Sequence, residues 1–364
     1  MKALVVGGTG PTGPLIIDGL HQRGYQVTLY HRGFHEPDDL PEVAEHLHGD
    51  PFTKETFEKD MEGKTWDIVV SMYGRLRHIA DVVAGRTPKL VGAGGPSYIR
   101  PEHLTFPAGL GMPLPEDFPT YTERDLNHYG FAIAHTERRV MEHHNNGDFK
   151  AVMFRYSSVY GPRAPRQWMW SIVKRVLDGR KQIIVPGDGS QMRLTCYADN
   201  AAHMILLGCD KSEGDGHIFN SVDEVGYTVK DTIRIVGEAL DHEFEVIDIS
   251  HPKAYSLAGG YSNERSSQLS IYSLKKLLGY TDIVEPHVGM TLSAKWMVDN
   301  WSKLDHAQMQ VLMADPLDYG IEDQLIASAK NWHDEVVSSI PEPVVPELSS
   351  ANDWRGAFNP NTES

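Results

Sequence analysis

The chain has 364 residues, 40% of them apolar, which is enough for two linked substructures with a sizeable interior and excludes a disordered protein. Its 34 basic and 50 acidic residues leave a net charge of −16, which repels phosphate backbones and anionic membranes and makes nucleic acid a poor partner. The two cysteines, Cys196 and Cys209, can build neither a disulfide framework nor a zinc ribbon, and they fit a reducing compartment.

Strand and helix signals alternate from the start. "ALVVG" (3–7) is an apolar run ending in glycines, as a buried parallel strand does. "TGPLIIDGLHQRG" (12–24) spaces Leu15, Ile16 and Leu20 as a helix and stops at Gly24. Further strands are expected at "YQVTLYHRG" (25–33), "HLHGD" (46–50), "TWDIVVSMYG" (65–74), "PKLVGAGG" (88–95) and "KAVMFRYSSVYG" (150–161). This repetition predicts an α/β fold: a doubly wound parallel sheet over residues 1–161.

After Gly161 the pattern changes. An amphipathic helix is expected over 164–180, then "QIIVP", a hairpin-like turn at Gly187, Asp188 and Gly189, a short strand and another helix. "GHIFNSV" (216–222) reads as a strand that rejoins the first sheet. Residues 162–340 are assigned to a smaller C-terminal α/β substrate-binding part. The stretch 341–364, rich in Pro, Ser and Asn, reads as an extended tail. Its Val344, Val345, Trp354 and Phe358 could anchor it on the body or on a second subunit, which leaves a homodimer open. The opening "MKALVVGGTG" lacks a signal-peptide pattern, and no stretch approaches the roughly 20 apolar residues that cross a bilayer. A cytoplasmic protein without membrane partners is expected.

The first turn carries chemistry. In "GGTGPTG", Gly8, Gly10 and Gly13 satisfy G-x-G-x-x-G, and Gly7, Gly10 and Gly13 satisfy G-x-x-G-x-x-G, with Thr12 inside the turn. Leaving a strand and opening a helix, such a turn lets a pyrophosphate approach the backbone at a helix N-terminus. No Lys-Ser or Lys-Thr follows, so it is not a nucleoside-triphosphate loop. At the end of the second strand His31 stands where a carboxylate would hold a ribose 2′-hydroxyl, and Arg32 follows. That pair favours NADP over NAD. Asp50 is placed either to meet the adenine amino group or to cap the next helix.

With "HGD", "HYG…TERRVME" (128–142), "RYSSVYGP" (155–162) and "PGDGSQMRLTCYADNAA" (186–202), the chain resembles the extended short-chain dehydrogenase/reductase superfamily, in its NAD-dependent epimerase/dehydratase branch, from residue 1 to roughly residue 300. The resemblance implies a Rossmann-type sheet and a catalytic Tyr, a Lys four residues later and a Ser or Thr from the fifth strand. Tyr129 matches the Tyr, Ile133 stands at the Lys position, and the hydroxyl position falls near Gly95 with Ser97 two residues on. A tyrosine without an adjacent cation keeps its proton at neutral pH, so it can donate but is a poor base. His135, six residues on, lies on another helical face.

Substrate contacts are expected from Tyr73 and Arg75, at the carboxyl edge where ligands bind in such sheets, with a solvated role for Arg75 as the alternative. Arg193 matches the arginine that holds the sugar-nucleotide diphosphate in some family members; an inter-strand salt bridge is its rival. Trp168, beside Met169 and Trp170, is either packing or pocket wall. "EHLH" and "MEHHNN" lack metal-ligand spacing and read as surface runs, so no metal is expected. The reading is an NADP-dependent reductase or dehydrogenase acting on a small carbonyl or alcohol compound, with Tyr129 as proton donor and Ser97 polarising the carbonyl. Its alternatives are an epimerase, dehydratase or lyase using bound NAD(P), and a non-catalytic dinucleotide sensor or scaffold.

Overall fold

The computed structural model describes residues 1–33, 40–42, 44–72, 75–99, 113–261, 268–335 and 339. Tyr73 and the stretch 341–364 lie outside them. Residues Met1–Leu317 form one compact unit; a second begins at Asp318.

In the first unit the chain alternates as its apolar runs predict. Strand β1 (Lys2–Val6) leads into helix α1 (Gly13–Gln22), β2 (Gln26–His31), β3 (Ala44–His48), α2 (Lys54–Asp60), β4 (Ile68–Ser71), α3 (Leu76–Val83) and β5 (Lys89–Gly94). The long helix α4 (His128–Asn146) precedes β6 (Lys150–Tyr156). Then come β7 (Ser158–Tyr160), α5 (Trp170–Leu177), β8 (Gln182–Pro186), β9 (Thr195–Tyr197), α6 (Ala198–Asp210) and β10 (His217–Ser221). Helix α7 (Val229–Ala239), β11 (Glu245–Ile249), α8 (Pro252–Ala258), α9 (Tyr272–Leu278), α10 (Pro286–Asp299) and α11 (His306–Met313) complete the unit. Helix α12 (Tyr319–Glu335) belongs to the second unit.

Seven strands make one sheet in the order β10-β6-β5-β4-β1-β2-β3, and all pairs are parallel. The expected return of residues 216–222 to this sheet is observed: β10 lies beside β6. Successive side chains of a strand face opposite ways, so β1 feeds two cores. Val5 joins Ile16, Ile17 and Leu20 of α1 and Ile205 of α6 on one face; Leu4 and Val6 join Phe57, Ile79, Val83 and Val140 on the other. This is the doubly wound arrangement. A third core, with Trp168, Trp170, Ile183, Val185, Ile233, Met290 and Met297, fills the smaller α/β part.

The hairpin expected at Gly187–Gly189 is corrected. Both glycines take positive φ, 65° and 67°, and the chain does turn there. Yet β8 pairs in parallel with β11, and β9 with β7. "QIIVP" is buried at four of its five residues, the pattern of a covered parallel strand rather than one arm of a half-exposed hairpin.

A buried ion pair ties this part together. The Arg175 guanidinium donates to both Asp315 carboxylate oxygens, at 2.6 and 3.2 Å, and to the Ser171 and Leu257 carbonyls. Both side chains are fully buried. Asp315→Ala removes the carboxylate that faces this buried cation, so unfolding in urea should show a loss of about 3–5 kcal/mol. A loss below about 1 kcal/mol would show that the guanidinium finds other compensation.

Candidate functional site

The glycine turn between β1 and α1 is shaped by close contact. Gly7 and Gly8 have φ of 87° and 102°, a region costly for other residues. A Cβ on Gly13 would stand 1.8 Å from the Gly8 carbonyl oxygen, so α1 seats against the turn only with glycine there. Gly10 is different. Its Cβ position has nothing within 4 Å, and it lines the main cleft. The Thr12 side chain does not cap α1; it is buried, its hydroxyl 3.4 Å from the Met72 sulfur. The turn thus offers a backbone cradle at a helix start with one side open, which fits a dinucleotide pyrophosphate.

That cleft, about 1060 Å³, runs from the turn past the carboxyl ends of β5 and β6 to Trp168. Arg75, Arg77, Arg124 and Arg166 line it, and none of its described lining residues is Asp or Glu. At one end Arg32 and Arg75 both lie over the Phe52 ring, at 5.2 and 5.7 Å from its centroid. The Asp50 carboxylate accepts from the Phe52 amide at 3.0 Å and the Thr53 hydroxyl at 3.4 Å, so it holds the turn before α2. His31, at the end of β2, is buried and is not among the lining residues.

Tyr129 stands in the first turn of α4, where the Asn127 side chain caps the helix by accepting from the Gly130 amide at 2.8 Å. The residue is 62% exposed, while its hydroxyl lies over Gly95, just past the end of β5. A Cβ on Gly95 would come within 2.2 Å of that hydroxyl oxygen. The phenol therefore occupies space that a serine or threonine side chain would need at position 95. Desolvation of the hydroxyl pushes its pKa above the ordinary 10.0, and no cation opposes the shift. Ile133, on the same wall, rests against Gly94 and brings only methyl groups. His135 also reaches the cleft wall despite its different helical face, with its ring stacked on Phe131.

Ser97 is not brought to the cleft. It is fully buried and donates to Glu137 at 3.0 Å, and Glu137 in turn accepts two bonds from Arg155. Its place is in a buried network. Ser157, which the sequence alone does not single out, follows β6 and lines the cleft. The Ser157 hydroxyl oxygen is buried without a hydrogen-bond partner among the described residues. The signal was present, because "RYSSVYGP" includes it. Trp168 forms cleft wall, whereas Arg193 stacks on that ring at 5.5 Å and donates to the Gly260 carbonyl. Burial, with Arg166 nearby, pushes the Arg193 guanidinium down to about 10.

Residues 104–221 match the model of the NAD dependent epimerase/dehydratase family. In sequence the chain is 29% identical over 173 residues to an uncharacterized protein of Sinorhizobium fredii, covering 41% of this chain. The match spans about half the length of that curated relative, 48%. In structure it is similar to the UDP-glucose 4-epimerase of Thermotoga maritima, with a TM-score of 0.67 and 20% identity over 83% of this chain and 100% of that one. A UDP-glucuronic acid 4-epimerase of Bacillus cereus superimposes with a TM-score of 0.64 and 17% identity, over 82% of this chain and 99% of the other. For the dTDP-glucose 4,6-dehydratase of Streptomyces venezuelae the figures are 0.64, 16%, 84% and 99%. The chain therefore matches the epimerase/dehydratase family over its central part and shares the fold of the superfamily that its motifs resemble. No described helix is long and apolar enough to cross a membrane.

The expectation of NADP is overturned. Four of the similar solved structures name NAD as their dinucleotide, among them a UDP-glucuronic acid 4-epimerase and two dTDP-glucose 4,6-dehydratases. Arg32, the residue on which the expectation rested, lies over Phe52. An arginine next to the strand end reports a local charge and an aromatic contact, not by itself a 2′-phosphate site.

Proposed function

We propose that this chain is an NAD-dependent enzyme of the epimerase or dehydratase type, acting on an anionic, sugar-nucleotide-like substrate. The charge of the cleft carries the reading: four arginines and no carboxylate among its described lining residues, in a chain of net charge −16. Guanidinium groups bind phosphates through paired, charge-assisted hydrogen bonds, and a cleft needing only a neutral carbonyl compound has no use for four of them.

Bound NAD would supply a reversible hydride acceptor. The chain would do the rest. The turn at Gly8, Gly10 and Gly13 would hold the pyrophosphate, with Arg75 and Phe52 at the adenosine end. Arg124 and Arg166 are left for the substrate diphosphate, and Trp168 offers a flat apolar wall. Tyr129 keeps its proton and donates a hydrogen bond to the reacting oxygen, with the Ser157 hydroxyl as a second donor. Removal of a hydroxyl proton then falls to an imidazole. His128 accepts from Arg124 at Nδ1, which leaves it a donor at Nε2, so His135 is the base on this wall.

The test is to incubate the protein and NAD with UDP-glucose and dTDP-glucose and to follow the sugar by proton NMR. An epimerised or dehydrated nucleotide sugar is expected, with free glucose unchanged. Absence of any conversion, together with binding that ignores the diphosphate, would discard the reading.

A further inference from the structure

We propose that His31, His46 and His48 form a binding site for one divalent transition cation of the zinc class, at the edge of the parallel sheet. Strands β2 and β3 are paired so that His31 stands opposite His48 and Leu29 opposite His46. Residues two apart on a strand share a face, so the pairing sets three imidazoles side by side. One ligand atom from each lies within 4.8 Å of the others. His31 Nε2 and His46 Nδ1 are already 3.2 Å apart. Ring centroids stand 5.1, 4.8 and 6.2 Å apart, with the planes steeply inclined at 78°, 77° and 85°.

This is near the geometry an ion needs. Nitrogens bound to tetrahedral zinc at about 2.0–2.1 Å lie roughly 3.3 Å from one another. The first pair meets that spacing, and the third imidazole, with its ligand atom within 4.8 Å of the other two, closes the remainder when an ion binds. His31 is buried and acts as the fixed ligand, whereas His46 and His48 are exposed and can turn. Three imidazoles suit zinc, nickel, cobalt or copper and offer no oxygen donors for calcium or magnesium. Three protein ligands leave a fourth position to water. None of the three histidines lines the cleft, so the site is separate from the proposed reaction centre.

Proton positions tie the site to the neighbouring turn. Without metal, His31 Nδ1 accepts from the Gly33 amide at 3.3 Å, so the ring proton sits on Nε2 and points at His46 Nδ1. A cation bound at Nε2 takes the place of that shared proton, and the ring then carries hydrogen on Nδ1, facing the Gly33 N–H. The long Gly33 contact must be given up, and at φ 74° a glycine can turn without side-chain cost. Strand β3 is the sheet's outermost strand, so an ion held between β2 and β3 would pin an exposed edge to its neighbour.

The experiment uses untagged, chelator-stripped full-length protein titrated with Zn2+ by calorimetry, with the bound metal counted by mass spectrometry. One equivalent is expected. His46→Ala and His48→Ala, both at exposed positions, should each weaken it by at least the ~10–100-fold seen when even an outer-shell partner of a metal ligand is lost. His287→Ala should bind as the unaltered protein does. The Gly33 amide resonance should shift on loading in the unaltered protein and stay in place in the variants. Circular dichroism verifies that the variants are folded. Failure of the unaltered protein to bind zinc, or wild-type affinity in the double variant His46→Ala, His48→Ala, would overturn the site.

Discussion

Tyr129→Phe lowers turnover of a nucleotide sugar by roughly 10²-fold, at the low end of what a positioned proton donor contributes, while NAD affinity stays unchanged. The expectation comes from where the hydroxyl lies. It sits over Gly95, just past the end of β5, in the wall of the cleft. The change removes one oxygen and leaves the ring in place. Ile133→Lys is the companion variant. Its ammonium would enter the wall that carries the phenol, and a neighbouring cation favours the phenolate. The tyrosine pKa, now held above 10.0 by desolvation alone, should fall. Because the working form is the protonated phenol and phenolate would then form at lower pH, the falling limb of the pH–rate profile should move toward acid. Full activity in Tyr129→Phe would show that the hydrogen bond to the reacting oxygen comes from elsewhere, with Ser157 the first group to test.

How far each feature could be read from the sequence depended on how local its cause is. The sheet was readable because the glycines after β1, the apolar runs of β4 and β6 and the helical spacing of Ile16 and Leu20 act within one strand–helix unit. Tyr129 was readable for the same reason: it follows the capping Asn127 and opens α4. Features that depend on which segments meet were not. Whether Ser97 or Ser157 faces the cleft is decided by Glu137 and Arg155, 40 and 58 residues along the chain from Ser97. The pairing of β8 with β11 bypasses the turn that suggested a hairpin. "EHLH" has no ligand spacing of its own, and the third histidine, His31, arrives from the adjacent strand. Arg32 misled differently: its charge was visible, but its contact with Phe52, 20 residues on, was not.

Two glycines of one turn should fail in opposite ways. Gly10 faces open cleft, with nothing within 4 Å of its Cβ position, so Gly10→Val leaves the protein folded. The new side chain occupies the space a pyrophosphate would take, and NAD binding should be lost. Gly13 faces its own backbone. The 1.8 Å approach to the Gly8 carbonyl cannot be relieved by a side-chain rotation, so Gly13→Ala must push α1 off the turn. Since α1 contributes Ile16, Ile17 and Leu20 to a main core, the displacement should cost about 1–3 kcal/mol or more, the range for overpacked sites. Thermal melts with and without NAD separate the two effects. Gly10→Val should melt as the unaltered protein does without NAD and gain nothing when NAD is added, while Gly13→Ala should melt lower from the outset. Wild-type NAD affinity in Gly10→Val would mean that the turn is structural, and the reading of the cleft as a dinucleotide site would fall with it.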